Sequence, residues 1–254
     1  MEIVLSMAWY EYPLIILVGF LAAFLNTVGG GGSLFSVPIL TFMGLPITMA
    51  NATSRVAILF QNIFAVGGFK SKGVELPWPY SIYLGLASLG GGLIGSVLAS
   101  KVADEVFSKI FVGVMIFSVF LILYDPFKSK GEEKLDAKSQ WIGAFFFFFI
   151  GIYGGFVQAG IGFLVIAVLS LVNNLSLTKS NYVKVFAAIM YTGVSVAVFA
   201  YQGKIIWKIG FILAIGHALG GWYASRWSVK AGEVWIKRVM IVSVIAMAVK
   251  LWFF

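Results

Sequence analysis

The chain has 254 residues, 61% of them hydrophobic and 11% charged, with a net charge of +8 and no cysteine. Soluble domains carry roughly 25% charged residues, so this composition specifies a polytopic helical membrane protein. The missing cysteine excludes disulfides and cysteine-ligated metal centres. A transmembrane β-barrel is excluded as well, because runs such as Phe145 to Phe149 do not alternate in polarity. The positive charge does not point to nucleic acid, since most Lys and Arg fall in short stretches between apolar segments, where they set topology.

The N-terminal Met1-Glu-Ile-Val lacks the basic start of a cleaved signal peptide, so the first apolar segment is expected to remain as a span. Apolar segments then follow at 13–28, 33–44, 50–69, 80–99, 106–124, 139–158, 162–173, 179–201, 208–226 and 234–254. A helix needs about 20 residues to cross roughly 30 Å of hydrocarbon. The segments 33–44 and 162–173 are too short and read as half-helices or re-entrant pieces. The hydrophilic stretch Asp125 to Lys138 divides the chain almost into halves.

The halves resemble each other. Leu45-Pro-Ile-Thr48 matches Leu175-Ser-Leu-Thr178, Asn51 matches Asn181, Gly30-x-Gly32 matches Gly160-x-Gly162, and Glu105-Val-Phe-Ser-Lys109 matches Glu233-Val-Trp-Ile-Lys237. The order of these pairs along the chain indicates an internal duplication. The expected fold is therefore an all-α polytopic membrane protein of two inverted five-element repeats with broken or re-entrant short helices. Residues 1–125 form the first transmembrane repeat, 126–138 a cytoplasmic linker and 139–254 the second repeat. Lys70, Lys72, Lys128, Lys130, Lys134, Lys138, Lys179, Arg226, Lys230, Lys237 and Arg238 are expected to gather on one side, and Lys101, Lys109, Lys204 and Lys208 on the other. The positive-inside rule places the more basic side, with the central loop, in the cytoplasm of a cell (inner) membrane and both termini outside.

Two glycine-rich interruptions stand in corresponding places. Gly29, Gly30, Gly31 and Gly32 break the first apolar run before Ser33, and Gln158, Gly160 and Gly162 break its counterpart. Each interior glycine costs a helix about 1 kcal/mol relative to Ala, so a helix is expected to end and another to begin at each break. Paired breaks of this kind point to a transporter's binding site, with helix starts offering N–H groups to an anion. Gly90-Gly-Gly92 with Gly95, and Gly216 with Gly220-Gly221, read instead as close helix packing.

Arg55, beside Asn51, Thr53 and Ser54, lies 15 residues before Lys70. At about 1.5 Å per residue it sits roughly 22 Å from the cytoplasmic end, at a depth where a cation needs a partner. Lys184, beside Asn181 and Tyr182, is its mate one residue out of register. Snorkelling to the nearest interface is the plain alternative for both. No Asp or Glu falls within a span, so the deep charges favour an anion, and inverted symmetry is expected to bring Arg55 and Lys184 toward one central site. His217, the only histidine, is a candidate proton relay or an interhelix contact. Gln61, Asn62, Tyr191 and Thr192 read either as ligands or as helix–helix contacts. Trp78, Trp141, Trp207 and Trp252 read as interfacial anchors. There is no nucleotide-binding loop, zinc pair or nucleophile elbow, so no enzyme activity, metal or cofactor is expected.

The glycine break followed by Ser33 and Pro38, then Ala50-Asn-Ala-Thr-Ser-Arg55, then a looser second copy, resembles the sulfite exporter (TauE/SafE-type) permease family. The likeness covers nearly the whole chain. It implies a transporter of sulfite or an organosulfur anion such as a sulfonate, without a prosthetic group. The family's glycine motif falls on Gly29 to Gly32, its polar-basic motif on Thr53, Ser54 and Arg55, and its second basic position on Lys184. Gln158 and Ala159 replace glycines in the second copy, Phe163 stands where Ser33 does, and Val168 where Pro38 does. These departures imply that the first half holds the anion more directly. The expected function is a secondary permease or exporter working by alternating access. A passive anion channel and a non-transporting membrane assembly subunit are the other readings. Expected partners are a small anionic substrate and the lipid bilayer, not nucleic acid; a homo-oligomer is compatible with the sequence but not specified by it.

Overall fold

The structure, a computed structural model, describes residues 11–29, 33–123 and 132–253. The described residues are helical throughout apart from short connections, in the order α1 (Glu11–Gly29), α2 (Ser33–Phe42), α3 (Ile47–Lys70), α4 (Tyr80–Lys101), α5 (Asp104–Leu123), α6 (Ala137–Phe156), α7 (Ile161–Asn173), α8 (Leu177–Tyr201) and α9 (Trp207–Phe253). Four of them, α1, α4, α6 and α8, are long and apolar enough to cross a membrane.

The two short segments are short helices. With 10 and 13 residues, α2 and α7 reach only roughly 15 and 20 Å. Asn174, left-handed at φ 51°, stops α7, and the Ser176 hydroxyl caps α8 by accepting from the Lys179 N–H. Asp136 caps α6 in the same way through Ser139. The carboxylate of Asp104, at the start of α5, accepts from the Thr48 N–H (3.0 Å) and so closes the first turn of α3.

One expectation is corrected. The segments 208–226 and 234–254 form the single 47-residue helix α9, so the second half has four helices rather than five elements. Trp227 to Glu233 contains no proline and only one glycine, and Lys, Ala and Glu are good helix formers. A charged stretch that hydropathy reads as a loop therefore continues the helix. Much of the central linker, including Lys128 and Lys130, lies outside the described residues.

The packing repeats across the halves. α1 and α3 lie along α9, while α6 and α8 lie along α4; α3 and α8 meet in the middle, with α2 on α3 and α7 on α8. Glycines allow the close crossings. A Cβ on Gly91 or Gly95 of α4 would run into the backbone carbonyl of Phe148 or Ile152 on α6, and one on Gly216 or Gly220 of α9 into that of Ile16 or Phe20 on α1. These glycine sets thus serve close packing, as their spacing suggests.

Polar side chains are buried beside the apolar core, while large apolar side chains cover the outside. Asn51, Thr53, Ser54, Arg55, Gln61 and Asn62 on α3 are buried, whereas Leu14, Leu17 and Leu21 on α1 and Phe145 and Phe149 on α6 are exposed. Water gives no reason for that arrangement, but a hydrocarbon solvent does.

Because the obstructing atoms are backbone, a side chain at these crossings cannot be accommodated by rotation. Gly95→Val and Gly216→Val are each expected to cost about 1–3 kcal/mol, seen as a lower unfolding temperature in detergent. Gly193→Ala, with no neighbouring atom within 4 Å of the added carbon, is expected to leave that temperature unchanged.

Candidate functional site

The site grows from the ends of α1 and α6. A helix leaves its last carbonyls without intrahelical partners and carries partial negative charge there. Here those carbonyls are met by cations from the opposite half. Arg55 on α3 is fully buried and donates to the carbonyls of Gly154, Gly155 (3.1 Å) and Phe156 (3.2 Å), at the end of α6. Lys184 on α8, 5% exposed, donates to the carbonyls of Asn26 and Thr27 (both 2.9 Å), at the end of α1.

An asparagine completes each clamp. Asn51 donates to the Phe156 carbonyl (3.1 Å) while its own side-chain oxygen accepts from Arg55 (3.3 Å). Asn181 donates to the Val28 carbonyl (3.0 Å) and accepts from Lys184 (2.7 Å). The one-residue register offset between Arg55 and Lys184 is thereby explained, since i,i+4 and i,i+3 neighbours share a helix face. The ring of Phe199 lies 5.7 Å from the Arg55 guanidinium, a cation–π distance.

A second hydrogen-bonded pair accompanies each clamp. Gln61 on α3 donates to the Thr27 hydroxyl at the end of α1 (3.3 Å), and Gln158 in the second break donates to the Thr192 hydroxyl on α8 (3.0 Å). The amide and hydroxyl have exchanged positions between the halves. Gln158 adopts φ 62° and Gly160 φ 69°, so a glutamine occupies backbone that glycine adopts without strain. The Tyr153 hydroxyl straps this break by donating to the Ala159 carbonyl.

Some expected site residues stand elsewhere or are already engaged. Thr53 accepts from the Ile206 N–H (3.1 Å), at the entry to α9, and Ser54 donates to the Asn51 carbonyl (2.9 Å) in its own helix. Gly29 is the buried last residue of α1, and Gly162 is buried in the first turn of α7. Gly30, Gly31 and Gly32 lie outside the described residues, as does the side chain of Ser33. Arg55 and Lys184 are each held at a different break, by helix C-termini rather than by the helix starts. Snorkelling does not account for either, because both head groups are bonded in the interior. His217 bridges helices: its Nε2 lies 3.2 Å from the Ser36 hydroxyl on α2 and its Nδ1 3.1 Å from the Leu213 carbonyl. That carbonyl only accepts, so in the neutral ring Nδ1 carries the proton and Nε2 accepts from Ser36.

Gly154, Gly155, Asn26 and the ring of Phe199 were not among the expected site residues, because backbone acceptors carry no side-chain signature. The Gly154-Gly155 pair before the second break is the one available hint. Glu11, Glu75, Asp104, Glu105, Glu132, Glu133 and Asp136 are all exposed or half-buried, so none of them balances the two cations from within the core. Arg55 Nε and Gln61 Oε1 are buried without a hydrogen-bond partner.

Removing either cation strands several buried carbonyls. Arg55→Gln and Lys184→Gln are each expected to lose about 1–3 kcal/mol per stranded group, measured as thermal unfolding in detergent. An unchanged unfolding temperature in both variants would contradict the clamp.

The description "Sulfite exporter TauE/SafE" belongs to a family model that matches residues 15–251. A probable membrane transporter protein of Haemophilus influenzae is 24% identical, over 92% of this chain and 91% of its own length. A probable membrane transporter protein of a Sinorhizobium species is 24% identical over 97% and 94%, and the probable membrane transporter protein YfcA of Escherichia coli K12 is 26% identical over 92% and 87%. No solved structure matches the chain. With helical described residues, an apolar exterior and a family match over almost its full length, the chain belongs to the sulfite exporter TauE/SafE family of membrane transporters.

Proposed function

We propose that the chain is a secondary transporter of a small sulfur oxyanion, sulfite or an organosulfonate, working by alternating access. The carrying observation is that the two helix breaks are each clamped by a buried cation from the other half, with no buried acid among the described residues. Residues 1–125 and 139–254 act as two inverted repeats joined by a cytoplasmic linker at 126–138. The exchange of α1, α3 and α9 for α6, α8 and α4 in the packing supports this reading.

The substrate competes with carbonyls. In the enclosed state the guanidinium of Arg55 and the ammonium of Lys184 spend their donors on helix ends. A small oxyanion offers stronger, charged acceptors in a geometry that suits a guanidinium fork. Its arrival draws a cation off its carbonyls and loosens the contact between the halves. Binding thus favours the rocked conformation through differential affinity. Gly29 to Gly32, Ser33, Asn51, Thr53, Ser54, Gln158, Gly160, Gly162 and Asn181 form the surroundings of the two cations in this reading. An inside-negative membrane drives anion exit by about 2.3 kcal/mol per charge per 100 mV, so export needs no coupled cation. His217 serves as an interhelix contact.

Purified protein in liposomes is expected to move sulfite or a sulfonate with saturable kinetics. Flux per folded molecule is expected to fall at least tenfold in Arg55→Gln and Lys184→Gln and to stay within about twofold in His217→Gln. Unsaturable flux at far higher rates would assign a channel, and undiminished flux in both cation variants would remove these residues from the site. Stabilisation by sulfite over sulfate and phosphate in a thermal-shift series reads binding directly.

A further inference from the structure

A second cationic feature shares no residue with the clamps. A cavity of about 350 Å³ opens between the turn after α3 and the middle of α9, lined by Lys72, Trp222, Tyr223, Arg226, Trp227 and Lys230. That volume is within the roughly 300–1,000 Å³ of small-molecule sites. Among the described residues three cations and no carboxylate line it, and the two ion pairs among those residues, Lys109–Glu105 and Lys179–Glu133, lie elsewhere. The ammonium of Lys72 is held below its usual range, first by the charge of Lys230, then by desolvation and by Arg226. Like charges are therefore gathered here, with no acidic partner among the described lining residues.

The surroundings identify the kind of anion. Phe211, Ile215, Leu219 and Tyr223 are exposed along one stripe of α9, at the four-residue spacing of one helix face. Arg226 and Lys230 follow three and seven residues after Tyr223, on the same side of the helix. An exposed apolar face thus runs directly into two cations, as it does where hydrocarbon meets the headgroup layer. Trp222, Tyr223 and Trp227 are amphipathic side chains suited to that boundary. The Arg226 guanidinium is held over the Trp222 ring at 5.3 Å, and Trp227 packs on Phe24 of α1 at 5.3 Å. The wall is fixed in place.

We propose that this cavity binds the phosphate headgroup of an anionic phospholipid, with Arg226, Lys230 and Lys72 on the phosphate and the three aromatic side chains against the glycerol and upper acyl chain. A guanidinium and two ammonium groups at the membrane surface are the usual donors to such a phosphate. The site is separate from the clamps and independent of which anion is transported.

Native mass spectrometry of the full chain, released from detergent with phosphatidylglycerol, phosphatidylcholine or inorganic phosphate, tests this. Wild type is expected to retain phosphatidylglycerol at least tenfold more tightly than phosphatidylcholine. Arg226→Gln with Lys230→Gln is expected to weaken that retention about 25-fold, roughly fivefold for each charge. The charge-preserving pair Arg226→Lys with Lys230→Arg is expected to retain the lipid, which separates charge from misfolding. Lys101→Gln with Lys109→Gln, remote from the cavity, is expected to bind as wild type. Equal retention of both lipids, or wild-type retention in the charge-removed pair, overturns the proposal. Displacement of phosphatidylglycerol by millimolar phosphate also overturns it, by assigning the cavity to a soluble anion.

Discussion

The arrangement depends on how a membrane protein satisfies the ends of helices that stop inside it. In hydrocarbon an open helix end costs several kcal/mol for each unsatisfied polar group. Here α1 and α6 end beside short helices, and a buried cation from the other half supplies the missing donors. The same contact resolves the opposite difficulty, a charge at depth with no acid to neutralise it. Each problem is the other's solution. The breaks, the buried cations and the crossed packing of the halves are therefore one feature.

The two clamps are related but unequal. Arg55 reaches three carbonyls with a planar fork and is also packed against Phe199, while Lys184 reaches two carbonyls as a point charge. The accompanying amide and hydroxyl groups have traded places between the halves, the amide on α3 in one pair and the hydroxyl on α8 in the other. The geometry of the contact is alike in the two halves while the side chains that make it differ.

Much of this was legible in the sequence, for identifiable reasons. The short helices α2 and α7 follow from apolar runs too brief to span, and the buried cations from Arg55 and Lys184 standing mid-segment. The packing role of Gly91, Gly95, Gly216 and Gly220 follows from their spacing. The partners of the cations were not legible, because Gly154, Gly155, Asn26 and Thr27 act through carbonyls that every residue possesses. The convergence of both cations on one central site was expected from symmetry; the part taken by the negative helix ends in holding each of them was not. The continuity of α9 through Lys230 was hidden because hydropathy registers charge and not backbone conformation. The glycines Gly30 to Gly32 lie outside the described residues, so the strongest motif in the sequence is represented in the structure by its flanks.

The exchange of clamps has a consequence for biogenesis. The carbonyl acceptors of Arg55 lie 99 to 101 residues further along the chain. At about 5–20 residues per second, the first half emerges from the ribosome many seconds before its buried cation has a partner. The first half is thus an incomplete insertion intermediate, with a charge that must stay near water or an insertion factor until α6 is made.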